Sequence, residues 1–226
     1  QRQMCIRDRY SCFIMSVSLQ AQEHFADRYN VSYITMDDGL PHNFIDDIYK
    51  DTRGFLWIST AGGGLSRYDG YEFIHFNPNT PHSKLKSNFI HNVYEDRFHR
   101  LWIVSEGGTD IIDLSTLQSV IPNDPKGLLP RFINHPTYIV ILDSQGCIWL
   151  QCDNALHRIT FDAEGGIDTL STLDLPEQDE PDLILKDIDE DGKIWTGING
   201  TIYKITPTPQ GQLEKSSISE QLTFWP

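Results

Sequence analysis

The stretch Asp51-Thr52-Arg53-Gly54-Phe55-Leu56-Trp57-Ile58-Ser59-Thr60 decides the fold, because its aspartate six residues ahead of a tryptophan returns three more times. The later copies run from Asp96 to Trp102, from Asp143 to Trp149 and from Asp189 to Trp195, and the tryptophans stand 45, 47 and 46 residues apart. A period in the mid-forties with short, aromatic-marked apolar runs is the signature of propeller blades. Each blade is a small four-stranded sheet that cannot bury both of its faces alone.

From Ile45 to Phe76 the first copy parses as strand, tight turn, strand, glycine turn, strand, turn, strand. Asp51 and Gly54 take the first and last places of a type I turn, where Asp bonds forward to backbone amides and Gly tolerates a positive φ. Asp143 with Gly146 and Asp189 with Gly192 repeat the pair, whereas the second copy has His99 at the glycine position, so a looser or differently bulged turn is expected there. The second strands read Leu56-Trp57-Ile58, Leu101-Trp102-Ile103, Ile148-Trp149-Leu150 and Ile194-Trp195-Thr196. Apolar residues at consecutive positions indicate burial on both faces, which places the tryptophans in an inter-blade core. The segment ahead of the first strand also repeats, as Leu40 to Ile45 and Leu85 to Ile90, and forms the link between blades. Val31 to Met36 aligns with the outermost strand Phe73 to Phe76, so an additional strand is expected there, and residues 207–226 are expected to supply the outer strand of the fourth copy.

These strings resemble the two-component regulator propeller repeat, whose pattern runs Gly-Leu-Ser-x-Asn, a strand, Asp-x-x-Gly-x-Leu-Trp-Ile-Gly-Thr, a glycine turn and Leu-x-Arg-Tyr-Asp. Gly39 to Asn43, Gly54 to Thr60 and Leu65 to Asp69 match it almost throughout. Copies three and four keep Asp, Gly and Trp but end as Leu156-His157-Arg158-Ile159 and Ile202-Tyr203-Lys204-Ile205. The resemblance spans residues 29–206. It implies an all-β fold, a partial β-propeller of about four blades of four antiparallel strands each; length permits either a closed four-bladed ring or an open arc of a seven-bladed propeller, and the additional N-terminal strand favours the arc. It further implies the periplasmic sensor of a hybrid two-component regulator from a glycan-degrading Gram-negative bacterium, with an oligosaccharide as ligand. A homodimer in the full sensor, a cytoplasmic histidine kinase, and membrane contact only through C-terminal segments beyond this sequence belong to the same expectation.

Residues 1–21 are set apart from the propeller, which is assigned to residues 22–226. Tyr10 to Ala21 reads as the tail of a secretory signal cleaved after Ala21, and residues 1–9 resemble translated sequencing-adapter sequence. The formal net charge is −14 and becomes −16 without residues 1–21, which argues against a nucleic-acid partner and, less strongly, against uronate ligands. Cys147 and Cys152 lie five positions apart on one strand, about 16 Å and on opposite faces, and cannot pair with each other. Cys5 and Cys12 fall in the leader, so neither a disulfide framework nor zinc spacing is present. No segment reaches the length of a membrane span.

Asp187 to Gly192 imitates the first positions of a calcium-binding loop, but Ile198 stands where a bidentate Glu is required, and the stretch coincides with the turn of the other blades. Asn30-Val31-Ser32 and Asn199-Gly200-Thr201 fit glycosylation sequons and are read as turns. The Asp-to-Trp turn also resembles the Asp-box of sialidases, yet no arginine cluster for a substrate carboxylate is visible, and no spacing supports His157 and Glu106 as a lyase pair. No catalytic set, cofactor or metal site is therefore assigned. Propeller geometry places a ligand on the face carrying the links and the loops between second and third strands. The links supply His42, Asn43, Lys86, Ser87, Asn88 and His135; the loops supply residues 61–64, Glu106, Gly107, Asp153, Asn154 and Asn199. His42, Asn43, Asn88, Glu106, Asp153, Asn154 and Asn199 form the candidate ligand set, since amides and carboxylates beside open glycine loops suit hydroxyl recognition. Three alternatives stay open: Asn43 and Asn88 merely brace turns, the chain is a secreted propeller enzyme of sialidase-like or lyase-like type, or it is a protein-interaction platform.

Overall fold

The computed structural model describes residues 33–81, 84–152, 154–175, 184–189, 192–198 and 201–217. Strands β1 (Ile45–Lys50), β2 (Leu56–Thr60), β3 (Gly64–Tyr68) and β4 (Phe73–Phe76) form one antiparallel sheet in chain order. A second sheet holds β5 (Ile90–Glu95), β6 (Arg100–Ser105) and β7 (Gly108–Asp113). The third comprises β8 (Thr137–Leu142), β9 (Ile148–Cys152), β10 (Ala155–Phe161) and β11 (Ile167–Asp174), and the fourth β12 (Ile184–Ile188), β13 (Ile194–Ile198), β14 (Thr201–Pro207) and β15 (Leu213–Ser217). These are the four blades, and the outer strand expected after residue 207 is β15.

The spacing of Asp and Trp has a direct cause. In every blade the carboxylate Oδ2 accepts the indole N–H: Asp51 from Trp57 at 2.9 Å, Asp96 from Trp102 at 2.8 Å, Asp143 from Trp149 at 2.9 Å and Asp189 from Trp195 at 3.0 Å. The other oxygen accepts backbone N–H groups of the turn, as Asp51 does from Arg53 and Phe55. One carboxylate thus closes the hairpin and satisfies the only polar atom of a large buried ring.

Each of the first three blade tryptophans faces the following blade. Trp57 packs with Val93, Leu101 and Ile103 of the second sheet, Trp102 with Val140, Ile148 and Leu150 of the third, and Trp149 with Ile194 and Ile205 of the fourth. Trp195 is half-buried. At the other end Ile48 is 56% exposed, while its counterparts Val93 and Val140 are 1% and 0% exposed. The sheets therefore form an open series in which the inner blades are covered on both faces. The first strand of every blade carries a bulge, at Ile45/Asp47, Ile90/Asn92, Thr137/Ile139 and Leu185/Asp187. It turns Asn92 toward the next blade, where its amide donates to the Val140 carbonyl at 2.9 Å and accepts the Val140 N–H at 3.1 Å.

Three expectations are corrected. The second-copy turn is not looser: Asp96 N–H reaches the Arg100 carbonyl at 2.9 Å and His99 N–H the Asp96 carbonyl at 3.1 Å, matching the first copy, because His99 itself adopts φ 58°. Its Nδ1 lies 2.8 Å from Glu95 Oε1, a contact that offsets the left-handed strain. The second blade has three strands instead of four. Asp113 accepts the N–H groups of Ser115 and Thr116 and turns the chain away, Leu117 adopts φ 57°, and a single bridge from Ile112 to Ser119 stands where an outer strand was expected. Pro122 and Pro125 follow directly and offer no N–H to a ladder. The strand expected over Val31 to Met36 is absent from its described part: Tyr33 to Thr35 are not in a strand, and Met36–Asp38 is a 3₁₀ turn held by the Asp38 carboxylate on the Thr35 N–H and hydroxyl. Val31 and Ser32 lie outside the described residues.

Glu95 ties two blades together, accepting the Thr52 N–H and hydroxyl, both at 2.7 Å. Burial pushes its carboxyl up, but the Thr52 N–H, the His99 ring and the Thr52 hydroxyl together outweigh burial and hold it below the usual glutamate range. Glu95→Ala is expected to cost about 2–3 kcal/mol, whereas His99→Gly changes stability by less than about 1 kcal/mol as relieved strain offsets the lost contact. The Glu95 contribution is fully present above about pH 4.3 and fades as pH falls through the lower folded-state value. Urea unfolding of both variants as a function of pH checks the sizes and the sign.

Candidate functional site

Links and loops interlock at one end of the blades. The first loop lies against the first link: Ala61 N–H donates to the Phe44 carbonyl at 3.1 Å, and a Cβ on Gly63 would meet Pro41 and His42 at 3.0 and 3.1 Å. The same loop also holds the second link, because the Asn88 carbonyl accepts the N–H groups of Gly62 and Gly64 at 3.0 and 2.9 Å. On its other side the second link touches the second loop, where a Cβ on Gly107 would lie 2.8 Å from Lys86 Cβ. The third link follows suit, its Ile133 carbonyl accepting the Thr109 N–H at 3.1 Å. The second link is thus wedged between the first two blades, and Gly107 and Gly108 are needed because backbone approaches backbone at the second and third links.

This arrangement brings His42, Asn43, Asn88 and Glu106 to one end of the first two blades, with Asn154 on the corresponding loop of the third. His42 is half-buried, and its Nδ1 accepts the Phe44 N–H at 3.0 Å, which fixes the first link. Asn43, Asn88, Glu106 and Asn154 are exposed, and their side chains make no hydrogen bond to any described residue. Bracing falls to the backbone carbonyl of Asn88, so the amides stay free. Lys86 is engaged, its ammonium 3.0 Å from Asp110 Oδ1 and 2.6 Å from the Thr109 carbonyl. Asp153 and Asn199 lie outside the described residues.

Sequence reasoning overlooked Phe44 and Phe89. They follow Asn43 and Asn88 directly, stand 45 residues apart, and are 64% and 47% exposed at the same end of the blades. A large apolar residue kept in the same exposed link position of two blades was the available signal. Phe89 lies over the first loop, 3.9 Å from the Cβ position of Gly62.

The remaining chemistry is distributed elsewhere. Asp189 is spent on its turn, accepting the Lys193 N–H at 2.9 Å besides the Trp195 indole, as the repeat demands. Among the described residues no cluster of His, Cys, Asp and Glu is placed to hold a metal. Arg53, Arg97 and Arg100 bond to carbonyls across two different blade interfaces, and Arg158 stays within the third blade. His157 is buried, with Nδ1 3.0 Å from the Thr172 hydroxyl, while Glu106 projects from a loop. Cys147 and Cys152 are both buried, and the Cys147 sulfur accepts a hydrogen bond from Arg158 Nη2 at 3.0 Å. Among the described residues no helix is long and apolar enough to cross a membrane.

Serial antiparallel sheets, each clasped by an Asp–Trp bond and packed face to face, define a β-propeller arc. Residues 39–62 and 84–107, each a link with the first hairpin of its blade, match the family described as Two component regulator propeller. No curated protein matches the chain. Among solved structures, the extracellular domain of the putative hybrid two component system BT3049 from B. thetaiotaomicron is similar at 19% identity and TM-score 0.61, covering 82% of this chain and 26% of that one. The extracellular domain of the putative hybrid two component system BT4673 from the same organism is 25% identical with TM-score 0.56, covering 80% and 25%. A streptogramin B lyase shares the fold at 17% identity and TM-score 0.50, covering 78% and 55%. The chain spans about a quarter of the length of the two extracellular domains it resembles.

Proposed function

We propose that this chain is part of the periplasmic sensor propeller of a hybrid two-component system, that it detects an oligosaccharide, and that the full protein passes the signal to a cytoplasmic histidine kinase. Two features support the reading: the repeat family of the first two blades, and the likeness to extracellular domains of putative hybrid two component systems. The observation that carries the ligand class is the doubled Asn-Phe pair, Asn43-Phe44 and Asn88-Phe89, exposed on adjacent links with its amides unengaged. An aromatic face takes the C–H surface of a sugar ring, and an amide supplies one donor pair and one acceptor to its hydroxyls. Glu106 and Asn154 extend the polar rim.

Calorimetric titration with a panel of neutral oligosaccharides tests the reading. At least one is expected to bind, and Phe44→Ala combined with Phe89→Ala is expected to weaken it about tenfold or more, equivalent to about 1.4 kcal/mol. Affinity unchanged in that variant and in Asn43→Ala with Asn88→Ala would remove the link face from the site. Absence of binding across the panel would overturn the oligosaccharide assignment.

A further inference from the structure

At the opposite end of the blades, the turns joining first to second strands meet the turns joining third to fourth strands of the next blade. Between blades two and three this cleft is filled by arginine. Arg97 Nη2 bonds to the carbonyls of Phe161 and Asp162 at 3.1 and 3.3 Å, and Arg100 Nη1 to that of Gly165 at 2.6 Å. The Arg97 stem also covers Gly146, with its Cδ 3.2 Å from the Cβ position. Between blades one and two Arg53 does similar work on the Leu114 carbonyl.

Between blades three and four the repeat places Ser144 where Arg97 stands and Cys147 where Arg100 stands. Ser144 Oγ sits 3.7 Å from the Cβ position of Gly192, as Arg97 does beside Gly146. Neither side chain fills the space, and a cavity of about 630 Å³ opens, lined among others by Gln145, Cys147, Arg158, Thr160, Thr208 and Pro209. Pro207, Thr208 and Gly211 occupy the repeat positions of Phe161, Asp162 and Gly165, and all three line the cavity. The Gly211 carbonyl takes the Ser171 hydroxyl, while no guanidinium reaches Pro207 or Thr208. Arg158 stays on its own blade, with Nη2 2.8 Å from Gln145 Oε1 and Nε 3.3 Å from Asp143 Oδ2.

We propose that this cleft binds a neutral, hydroxyl-rich small molecule of one or two sugar rings. Its volume falls in the range of small-molecule sites, about 300–1,000 Å³. A cationic guest would face the Arg158 guanidinium, and an anionic one would face Asp168 and the wall of the β14–β15 turn. Hydroxyls both donate and accept, so they meet the carbonyl wall, the Thr160 and Thr208 hydroxyls and Arg158 together. The pyrrolidine rings of Pro207 and Pro209 supply the apolar surface that a sugar's C–H face requires. This site is separate from the Asn-Phe face and stands on the cavity alone.

Cys147 reports on occupancy because it lines the cleft. The 226-residue chain is treated with iodoacetamide at about pH 9, burial having raised its thiol to about 11. Modification of the Cys147 peptide is followed by mass spectrometry with glucose, galactose, xylose or cellobiose present, and with glucuronate and glucosamine as charged counterparts. At least one neutral sugar at about ten times its Kd should slow modification about tenfold, and the charged sugars should do less. Cys147→Arg, which restores the filling side chain of the preceding interface, should abolish the thermal shift given by that sugar. An unreactive Cys147 in the free protein, no protection by any neutral sugar, or protection by a charged sugar alone overturns the proposal. Sugar binding that leaves Cys147 unprotected but depends on Phe44 and Phe89 overturns it while leaving the sensor reading in place.

Discussion

Replacing Asp96 with alanine is expected to lower the free energy of unfolding by about 3–5 kcal/mol. Its Oδ1 accepts the N–H groups of Phe98 and Arg100 at 2.9 and 3.0 Å; its Oδ2 accepts Arg100 Nε at 2.7 Å and Trp102 Nε1 at 2.8 Å. Arg100 and Trp102 are both buried, so alanine strands a guanidinium and an indole N–H away from water. Asp189→Ala offers the contrast. Trp195 is only half-buried and has Lys204 stacked over its ring at 5.3 Å, so a loss of about 1–2 kcal/mol is expected there. Urea unfolding of the two variants separates the explanations: equal losses would mean that turn closure alone, without the buried guanidinium, sets the effect.

Gly108→Ala is expected to cost at least about 3 kcal/mol, lowering Tm by about 6–12 °C for a chain of this size. Gly108 has φ 117°, and an added Cβ would lie 2.4 Å from the Ile133 carbonyl oxygen and 3.2 Å from Asn134 Cα. Both are backbone atoms, and the Ile133 carbonyl is already bonded to Thr109 N–H, so neither side can yield without breaking the wedge that seats the third link. Gly54→Ala isolates the conformational part. It has φ 94° with nothing within 4 Å of the Cβ position, and about 1 kcal/mol is expected. Calorimetric scans of both variants check the difference; similar Tm values would show that the close approach at Gly108 carries no weight.

The blades were legible because three residue types in each copy have roles that no other type fills as well. Asp offers two acceptor oxygens, Trp a single N–H on a ring large enough to bridge sheets, and Gly the left-handed turn. Where one role is taken by a substitute, pattern reading fails: His99 keeps the turn because Glu95 reaches it, a contact invisible without knowing how β5 meets the first blade. The missing outer strand of the second blade was hidden for a similar reason, since Asp113 outbids the ladder by local bonds to Ser115 and Thr116. At the candidate site, the sequence allowed residues to be placed on links and loops. It did not distinguish an asparagine that braces with its side chain from one that braces with its carbonyl, because that depends on the neighbouring loop. The cleft beside Cys147 becomes visible only when the same interface is compared across blades.

The wedged links give the arc a mechanical property. The second link is fastened to the first loop through Asn88 and packed against the second loop through Lys86, so anything resting on it is attached to two sheets at once. Its affinity then depends on the tilt between those sheets, and by reciprocity its arrival changes how freely they rock.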